Sequence, residues 1–241
     1  MLYVKPEELV ILDTNLDDTN KSNLLDLDSY TQAEHFNDID ITLQITAQDW
    51  ISFINLEAVE IQMTLKDMND NIIKTYDIKL DDSLIFDIWG YFYNPLDWKH
   101  KHTQQLFLIA QGKLEIKIIN PNKTAKVGAI VLGRGVNIGL NEFKASVGIR
   151  DYTSYTYDSK NNTIVAETKK TSDLYRVKVY TEPFRVAALK RRFEKLRQQQ
   201  ILWIGSRTDE AKILFGFFKA FEPLYTQNGK AVYTLELEGV N

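Results

Sequence analysis

The sequence predicts a mainly β protein, in which an N-terminal β-sandwich domain of jelly-roll type precedes an α+β domain of antiparallel strands with one helix. Three observations support this fold class. Apolar and polar residues alternate in many short segments, which is the period of half-buried strands. These segments recur about every ten residues, as they do in sandwiches and jelly rolls. Only one stretch, Pro183–Gln199, has the three- and four-residue spacing of an amphipathic helix.

Residues 1–38 are rich in Asp, Asn and Thr and hold few apolar side chains. Ordering a residue costs roughly 1 to 2 kcal/mol, which such a segment does not offset by itself. The sequence therefore predicts an extended N-terminal arm with one short strand at residues 9–12. We expect a neighbouring surface to order this arm, and protease to cut it first in the isolated monomer.

Residues 39–135 form the predicted β-sandwich domain. Its alternation begins with Ile39, Ile41, Leu43 and Ile45. Two further alternating segments surround the turn at residues 67–71 and predict a hairpin. The other predicted elements are an aromatic strand at Trp89–Tyr93, which stops at Asn94-Pro95, a strand pair at Leu106–Ile109 and Leu114–Ile118, and a strand at Ala129–Leu132 before the glycines of the boundary.

Residues 136–241 form the predicted α+β domain. Pro183 suits the first turn of its helix, and Val186, Leu189, Phe193 and Leu196 mark the apolar face that should pack on the sheet. The predicted strands are Phe143–Arg150, Tyr152–Tyr157, Thr163–Thr168, Asp173–Tyr180, Gln200–Ile204, Ile213–Phe221 and Lys230–Glu238.

The composition excludes several classes of protein and site. The chain has 241 residues, 44% of them hydrophobic, and no cysteine. Disulfides, thiolate metal sites and cysteine nucleophiles are therefore absent. No apolar run approaches the roughly 20 residues of a membrane-spanning helix, and the N-terminus lacks the pattern of a secretory signal. We expect a soluble, folded protein with no cofactor and no membrane insertion.

Charge is distributed unevenly along the chain. Residues 1–82 contain 18 acidic and five basic residues, whereas residues 83–241 contain 15 acidic and 24 basic ones. Opposite charges of this kind favour contact between the acidic end and a basic surface, on the same copy or on a neighbouring one. The alternative is two solvated faces without a partner. The overall pI near 5.5 and the lack of a reader motif argue against nucleic acid.

No assembled catalytic motif occurs, so the sequence predicts no enzyme activity. His100 and His102 have a spacing that a metal ion uses when both lie on one side of a strand, and Asp97 is the nearest third ligand. Two imidazoles beside Lys101 are too few for a metal site, and an exposed polar loop is the preferred interpretation. Paired acids such as Asp17-Asp18 are interpreted as solvated.

Two sets of residues are candidates for contacts. Trp89, Tyr91, Tyr93 and Trp98 form an aromatic group suited to stacking on sugars, although such a stripe is more often part of a core. Lys190, Arg191 and Arg197 lie on the polar side of the predicted helix and are candidates for an assembly contact.

Several segments in order resemble a family of tail-associated structural proteins of tailed bacteriophages, found among tail, baseplate and fibre components. The resemblance covers roughly residues 85–241, and its end is the Leu-Glu-aliphatic-Glu-Gly strand at Leu235–Gly239. The other segments that carry it are Trp89–Tyr93 with Asn94-Pro95, Val127–Gly133, Lys144–Tyr152, Leu202–Gly205 and Phe215–Phe221.

The resemblance implies a virion structural protein of the tail, made in the host cytoplasm, with no catalytic residues to carry over. Its expected partners are other tail proteins, within a homo-oligomeric ring, and tail fibres. The alternative function is a carbohydrate-binding module that recognises host-surface glycans near the tail tip.

Overall fold

Two units make up the chain, and each is built on antiparallel strands. The N-terminal unit comprises Val4–Val136 and Arg207–Ile213, and the C-terminal unit comprises Met1–Tyr3, Asn137–Ser206 and Leu214–Asn241. The structure, a computed structural model, describes residues 1–28, 31–81, 89, 92, 97–158, 163–167, 171–225 and 229–240.

Strands make up most of the described chain. In chain order they are β1 (Leu2–Val4), β2 (Ile11–Thr14), β3 (Ala33–Ile45), β4 (Trp50–Glu57), β5 (Glu60–Lys66), β6 (Ile72–Lys79), β7 (Lys101–Gln105), β8 (Gly112–Gly133), β9 (Gly135–Asn137), β10 (Leu140–Asp151), β11 (Ser154–Asp158), β12 (Thr163–Glu167), β13 (Thr171–Thr181), β14 (Ile201–Ile204), β15 (Ile213–Tyr225) and β16 (Ala231–Gly239). The described helices are α1 (Asp18–Leu25), α2 (Pro183–Lys195) and a 3₁₀ turn at Glu210–Lys212.

The N-terminal unit is a β-sandwich in which two long strands belong to both layers. The strand order is β2-β3-β8-β4-β7, and β5 pairs with both β8 and β6. The first half of β8 pairs with β3 and β5, whereas its second half pairs with the start of β3 and with β4. Side chains from both halves meet in one buried cluster. The predicted mainly β fold class with an N-terminal sandwich is therefore confirmed.

The two shared strands turn at a pair of asparagines. Between the pairs Phe36↔Thr124 and Asp38↔Ile119, Asn37 alone lies opposite residues 120–123. Asn37 and Asn122 have positive φ angles, which Asn tolerates better than most residues, and the Asn122 N–H donates to Asn37 Oδ1 at 3.0 Å. An insertion of this kind bends a strand pair, so it lets β3 and β8 pass from one layer to the other.

The N-terminal segment differs from the extended arm predicted for residues 1–38. It contains β1, β2, α1 and the start of β3, and Leu16 and Leu24 are buried in the sandwich core. Asp17 caps α1 by accepting the N–H of Asn20 at 2.7 Å. The Asn15 side chain contacts the backbone of β3, donating to Asp38 O and accepting from the Asp40 N–H. The segment is thus ordered by the burial of a few apolar residues and by hydrogen bonds from polar side chains, although its composition predicts an extended arm.

A second difference concerns the strand pair predicted at Leu106–Ile109 and Leu114–Ile118. The preceding segment forms the strand instead, as β7, and pairs with β4. Leu106 is buried, and its N–H donates to Asp49 O, while the N–H of Phe107 donates to the Tyr76 hydroxyl. The backbone N–H groups of residues 106 and 107 are therefore hydrogen-bonded, although this segment does not pair as a β-strand. The hairpin predicted around residues 67–71 is confirmed as β5 and β6.

The C-terminal unit is the predicted α+β arrangement of antiparallel strands and one helix. Its sheet has the order β10-β13-β16-β15-β14-β1-β9. Helix α2 begins at Pro183 as predicted, and buries Val186, Leu189 and Phe193. The Phe193 ring packs against Trp203, Phe218, Phe221 and Tyr233, with ring centroids 4.5–6.3 Å apart. Such aromatic packing buries a large apolar area, so it fixes the helix on the sheet.

The main division between the units falls between Val136 and Asn137. The sequence predicts this boundary one residue earlier, between residues 135 and 136. Arg207–Ile213 returns to the N-terminal unit, which the sequence does not predict. The Arg207 guanidinium lies 4.9 Å from the centre of the Trp50 ring, and Glu210 accepts the N–H groups of His100 and Lys101. Contacts between residues so far apart in sequence leave no periodic signal.

Candidate functional site

Strand β10 lies at one end of the C-terminal sheet. Among the described strands it pairs with β13 alone, so the backbone groups along its other side form no ladder within the described chain. A strand edge of this kind is a template for pairing with another chain.

One face of β10 is apolar but exposed, although it continues the face of the sheet that forms the core. Val147 lies opposite Tyr175 and Ala145 opposite Val177, so these residues share the face on which α2 packs. Tyr175 and Val177 are buried, but Val147 is 46% exposed and Ile149 is 74% exposed. The apolar face of the sheet therefore extends one strand beyond the part that is covered. We call Val147, Ile149 and the open edge of β10 the β10 ledge.

A polar network joins the end of β10 to the rest of the sheet on the opposite face. Glu238, on β16, is buried and accepts hydrogen bonds from the Tyr152 hydroxyl, from Ser172 Oγ at 3.2 Å and from Lys219 Nζ at 2.9 Å. Arg150 Nη1 lies 3.3 Å from the same carboxylate. Burial alone would raise the pKa of Glu238, but the hydrogen bonds from Tyr152, Lys219 and Ser172 hold it below its usual value. The Glu238 carboxylate is therefore ionised. It links Arg150, at the end of β10, to Ser172 on β13 and Lys219 on β15, and so fixes the end of β10 on the sheet.

The hairpin that follows β10 carries further exposed aromatic rings. Strands β11 and β12 form a separate two-stranded sheet, and Tyr155 and Tyr157 of β11 are exposed. Monomeric proteins rarely expose many large apolar side chains in one region. The β10–β11 segment is therefore the part of the described C-terminal unit most suited to contact with another protein.

The predicted assembly residues Lys190, Arg191 and Arg197 are all exposed. Lys190 and Arg191 lie on α2, and the Lys190 ammonium is 4.0 Å from Glu194. Arg197 follows the end of the helix, because α2 stops at Lys195 and Gln198 adopts a positive φ angle. The apolar side of the helix faces the sheet, so these cations lie away from the core.

The aromatic group predicted for glycan contact is only partly described. Tyr91 and Tyr93 lie outside the described residues. Trp89 has helical backbone and is 67% exposed, whereas Trp98 is half-buried against the sandwich core and pairs with Asp81. Trp98 therefore contributes to the core, which is the role that the sequence favours for such an aromatic stripe.

The predicted histidine pair lies at the start of β7, but the two side chains have different surroundings. His100 Nδ1 lies 2.9 Å from Leu56 O. Burial, with a contribution from the charge of Lys99, lowers the pKa of His102 to about 4. Among the described residues, no group of three or more His, Asp or Glu side chains is arranged to hold a metal ion.

No protein-family model matches the chain, and no curated protein sequence matches it. Within the described residues, no helix is long and apolar enough to cross a membrane.

Solved structures give distant matches. A histidine mutant of the lectin binding domain of Lectinolysin complexed with Lewis b has 9% identity, a TM-score of 0.36 and covers 55% of this chain and 99% of its own. The lectin domain of Lectinolysin complexed with Lewis B antigen has 8% identity and a TM-score of 0.35, with 55% of this chain and 95% of its own covered. A Streptococcus pneumoniae fucose binding module has 11% identity and a TM-score of 0.35, with coverages of 54% and 94%.

Proposed function

We propose that the chain is a structural protein of a bacteriophage virion, in the tail or baseplate, which forms an oligomer and contacts neighbouring tail proteins and attached tail fibres. The virion context rests on the sequence resemblance described above. The assembly role rests on the β10 ledge, which is the observation that carries the proposal.

The β10 ledge offers both kinds of contact that a subunit interface needs. Its open edge supplies backbone donors and acceptors for a strand of another copy. Val147 and Ile149 supply apolar area on the same face as the core, at about 25 cal/mol for each Å² removed from water. A neighbouring copy that covers this face would extend to β10 the packing that α2 provides over β14, β15 and β16.

Charge supports another copy of the chain as the occupant. The residues of the N-terminal unit include 23 acidic and 14 basic side chains, and those of the C-terminal unit include 10 acidic and 15 basic ones. The units therefore carry opposite net charges of −9 and +5, with His neutral. A contact between unlike units of two copies is electrostatically favourable, and repeated head-to-tail contacts close a ring when the rotation permits.

The assembly role is tested by sedimentation velocity on the full chain. We expect wild type to form oligomers as its concentration rises and Ile149→Glu to remain monomeric, because the new carboxylate would be buried against the acidic unit of the neighbouring copy. Leu224→Glu is the matched control, since Leu224 is exposed on β15 of the same unit as Ile149. If Ile149→Glu assembles like Leu224→Glu, the β10 ledge is not the interface.

The virion context needs a separate measurement. Mass spectrometry of intact particles from cells that express the gene should detect the protein with the other tail components. Its absence from purified particles would exclude a structural role in the virion, whatever its oligomeric state.

We infer glycan binding as a second candidate, because the large ring of Trp89 is exposed. An exposed indole on a folded domain stacks well on the apolar face of a sugar. A glycan array with wild type and Trp89→Ala tests this function, with Phe36→Ala as the control for loss of another exposed ring. Equal signals from wild type and Trp89→Ala would remove Trp89 from any glycan site.

A further inference from the structure

Strand β6 forms an open edge in the N-terminal unit. Among the described strands it pairs with β5 alone. Lys74, Tyr76 and Ile78 lie on its core-facing side, because the residues of β5 opposite them are buried. Tyr76 and Ile78 pack against the buried cluster but remain partly exposed. The core of the sandwich therefore reaches this edge without being fully covered.

A groove of about 470 Å³ lies beside this side of β6. The Phe107 N–H donates to the Tyr76 hydroxyl at 2.7 Å and so joins the segment after β7 to β6. We call this feature the β6 groove. Its apolar lining comes from Ile73, Tyr76, Leu106 and Phe107, and its cations are Lys74 and Arg207.

The β6 groove and the open edge of β6 together suit an added strand. Strand addition uses main-chain hydrogen bonds along the edge and pockets that receive alternate side chains. Ile73 is 37% exposed and Phe107 is 59% exposed, and their chain neighbours Ile72 and Leu108 are exposed as well. Apolar area of this extent beside an unpaired edge is typical of a surface that another strand covers.

The β10 ledge carries matching side chains at the same spacing. Val147, Ile149 and Asp151 share one face of β10, because they lie two residues apart in its ladder with β13. An antiparallel pairing with β6 then matches all three with its core-facing side: Asp151 with Lys74, Ile149 with Tyr76, and Val147 with Ile78. One register thus joins unlike charges and both apolar residues, whereas a shift by one residue would turn them to the opposite face.

Asp151 is ready to pair with a cation. Its Oδ1 accepts hydrogen bonds from the Thr153 hydroxyl at 2.6 Å and from the Thr153 N–H at 2.8 Å. These hydrogen bonds hold the pKa of Asp151 below its usual value, and neither of them uses Oδ2. Asp151 and Lys74 are both exposed, so each can meet a charged group of another molecule.

We propose that the β10 ledge of one copy adds to β6 of the next copy and inserts Ile149 into the β6 groove. This inference rests on the assembly role proposed above and identifies the surface that receives the ledge. The contact joins two different surfaces, so every copy uses its ledge towards one neighbour and its groove towards the other. The opposite net charges of the two units favour the same encounter.

Disulfide trapping tests the contact, because the chain has no cysteine and every disulfide must join introduced residues. Val147→Cys and Ile78→Cys are purified separately, mixed at a concentration where wild type assembles, and oxidised. Facing residues of antiparallel strands have Cβ atoms about 4.5 to 5.5 Å apart, close to disulfide geometry. We expect the mixed disulfide to form at least about tenfold faster than with Lys79→Cys, the matched control on the other face of β6.

Charge exchange gives a second measurement that leaves the half-buried Ile78 unchanged. Asp151→Lys and Lys74→Glu should each weaken association about tenfold in sedimentation equilibrium, because each brings like charges together. A chain with both substitutions restores the pair with its signs reversed, so it should associate within about twofold of wild type. Both residues are exposed, so the melting temperatures of the three variants should match that of wild type.

Three results would overturn the proposal. These are disulfides mainly between two Val147→Cys chains, equal trapping by Ile78→Cys and Lys79→Cys, and no recovery in the double charge variant. The assembly role would still stand in each case if Ile149→Glu blocks assembly. If wild type stays monomeric at every concentration, the assembly role fails, and the β6 groove loses its proposed occupant.

Discussion

Adjacent residues of β16 are buried for opposite reasons. Leu237 faces the core, opposite Tyr175 on β13 and Phe218 on β15. Glu238, on the other face, is buried because Lys219, Ser172 and Tyr152 surround its carboxylate. The alternation of apolar and polar residues predicts that Leu237 is buried, but it predicts that Glu238 is exposed to solvent. Burial of a charge depends on partners that come from other strands.

Leu237→Ala should destabilise the protein by about 2 to 5 kcal/mol, because it removes a side chain that is 1% exposed from a packed core. Urea unfolding followed by circular dichroism measures the change. Leu224→Ala is the control, since Leu224 is 70% exposed and its truncation should alter the free energy of unfolding by less than about 0.5 kcal/mol. Equal effects from the two substitutions would contradict the burial of Leu237.

His102 makes the stability depend on pH below neutrality. Its folded-state pKa of about 4 lies below the ordinary value of 6.5, so the unfolded chain binds a proton that the folded chain does not. Stability should therefore be lost as the pH falls from about 6.5 towards 4, by at most about 1.4 kcal/mol for each pH unit from this group. Urea unfolding at several pH values should show a shallower dependence for His102→Gln. An unchanged slope would show that His102 is protonated equally in both states.

At the scale of the element, a single inserted residue sets the faces of β15. The register shifts between Phe218 and Ala220, so Lys219 is extra relative to β16. Phe218 and Phe221 then share the face of Leu237 and Leu235, although they are three residues apart. The apolar run at residues 214–218 predicts a strand, but the bulge depends on β16 and is invisible from local spacing.

Helix α2 has one apolar and one basic side, and its basic side is suited to an electrostatic contact. Arg191→Glu with Arg197→Glu should leave the melting temperature of the monomer nearly unchanged, since both residues are exposed. The double variant should assemble less than wild type at low salt, because several exposed pairs of about 0 to 1 kcal/mol each act together. Calorimetry and sedimentation velocity measure the two effects. Unaltered assembly at low salt would make the basic side a solvated surface only.

At the scale of the whole molecule, the opposite net charges of the two units should make assembly sensitive to salt. Exposed charges are screened beyond about 8 to 10 Å at physiological ionic strength. We expect the association constant from sedimentation equilibrium to fall steadily between about 0.05 M and about 0.5 M NaCl. Sodium sulfate at matched ionic strength separates this effect from apolar burial, which sulfate strengthens. An association constant that rises with NaCl would show that apolar contact alone drives assembly.

The segment at residues 1–38 shows how far composition predicts order in this chain. Composition indicates an arm that a neighbour must order, yet Leu16, Leu24 and Ala33 belong to the sandwich core. We expect limited proteolysis of the monomer to leave α1 intact, because Leu24 anchors the helix in the core and Asp17 caps its first turn. Early cleavage within Asp18–Leu25 would restore the arm predicted from the sequence.

The sequence by itself determined the features that depend on neighbours along the chain. The alternation at Ile39–Ile45 and around the turn at residues 67–71 predicts strands that the structure contains. The spacing of Val186, Leu189 and Phe193 predicts α2, because side chains three and four residues apart share one side of a helix. The exposure of Lys190 and Arg191 follows from the same spacing, since the opposite side of a packed helix faces solvent, whereas Arg197 lies beyond the end of the helix.

Only the tertiary structure decided which surfaces are covered. The pattern of β10 is that of any half-buried strand, and its apolar side is left open because it lies beyond the part of the sheet that packs against α2. A cavity beside the first turn of α2 is lined by residues that lie as far apart in sequence as Asn137 and Lys230. Leu16 and Leu24, from a mainly polar segment, are buried in the sandwich core. Each of these outcomes depends on contacts between residues far apart in the chain. Local periodicity determines which side of an element is apolar, but the packing of the elements determines whether that side is buried.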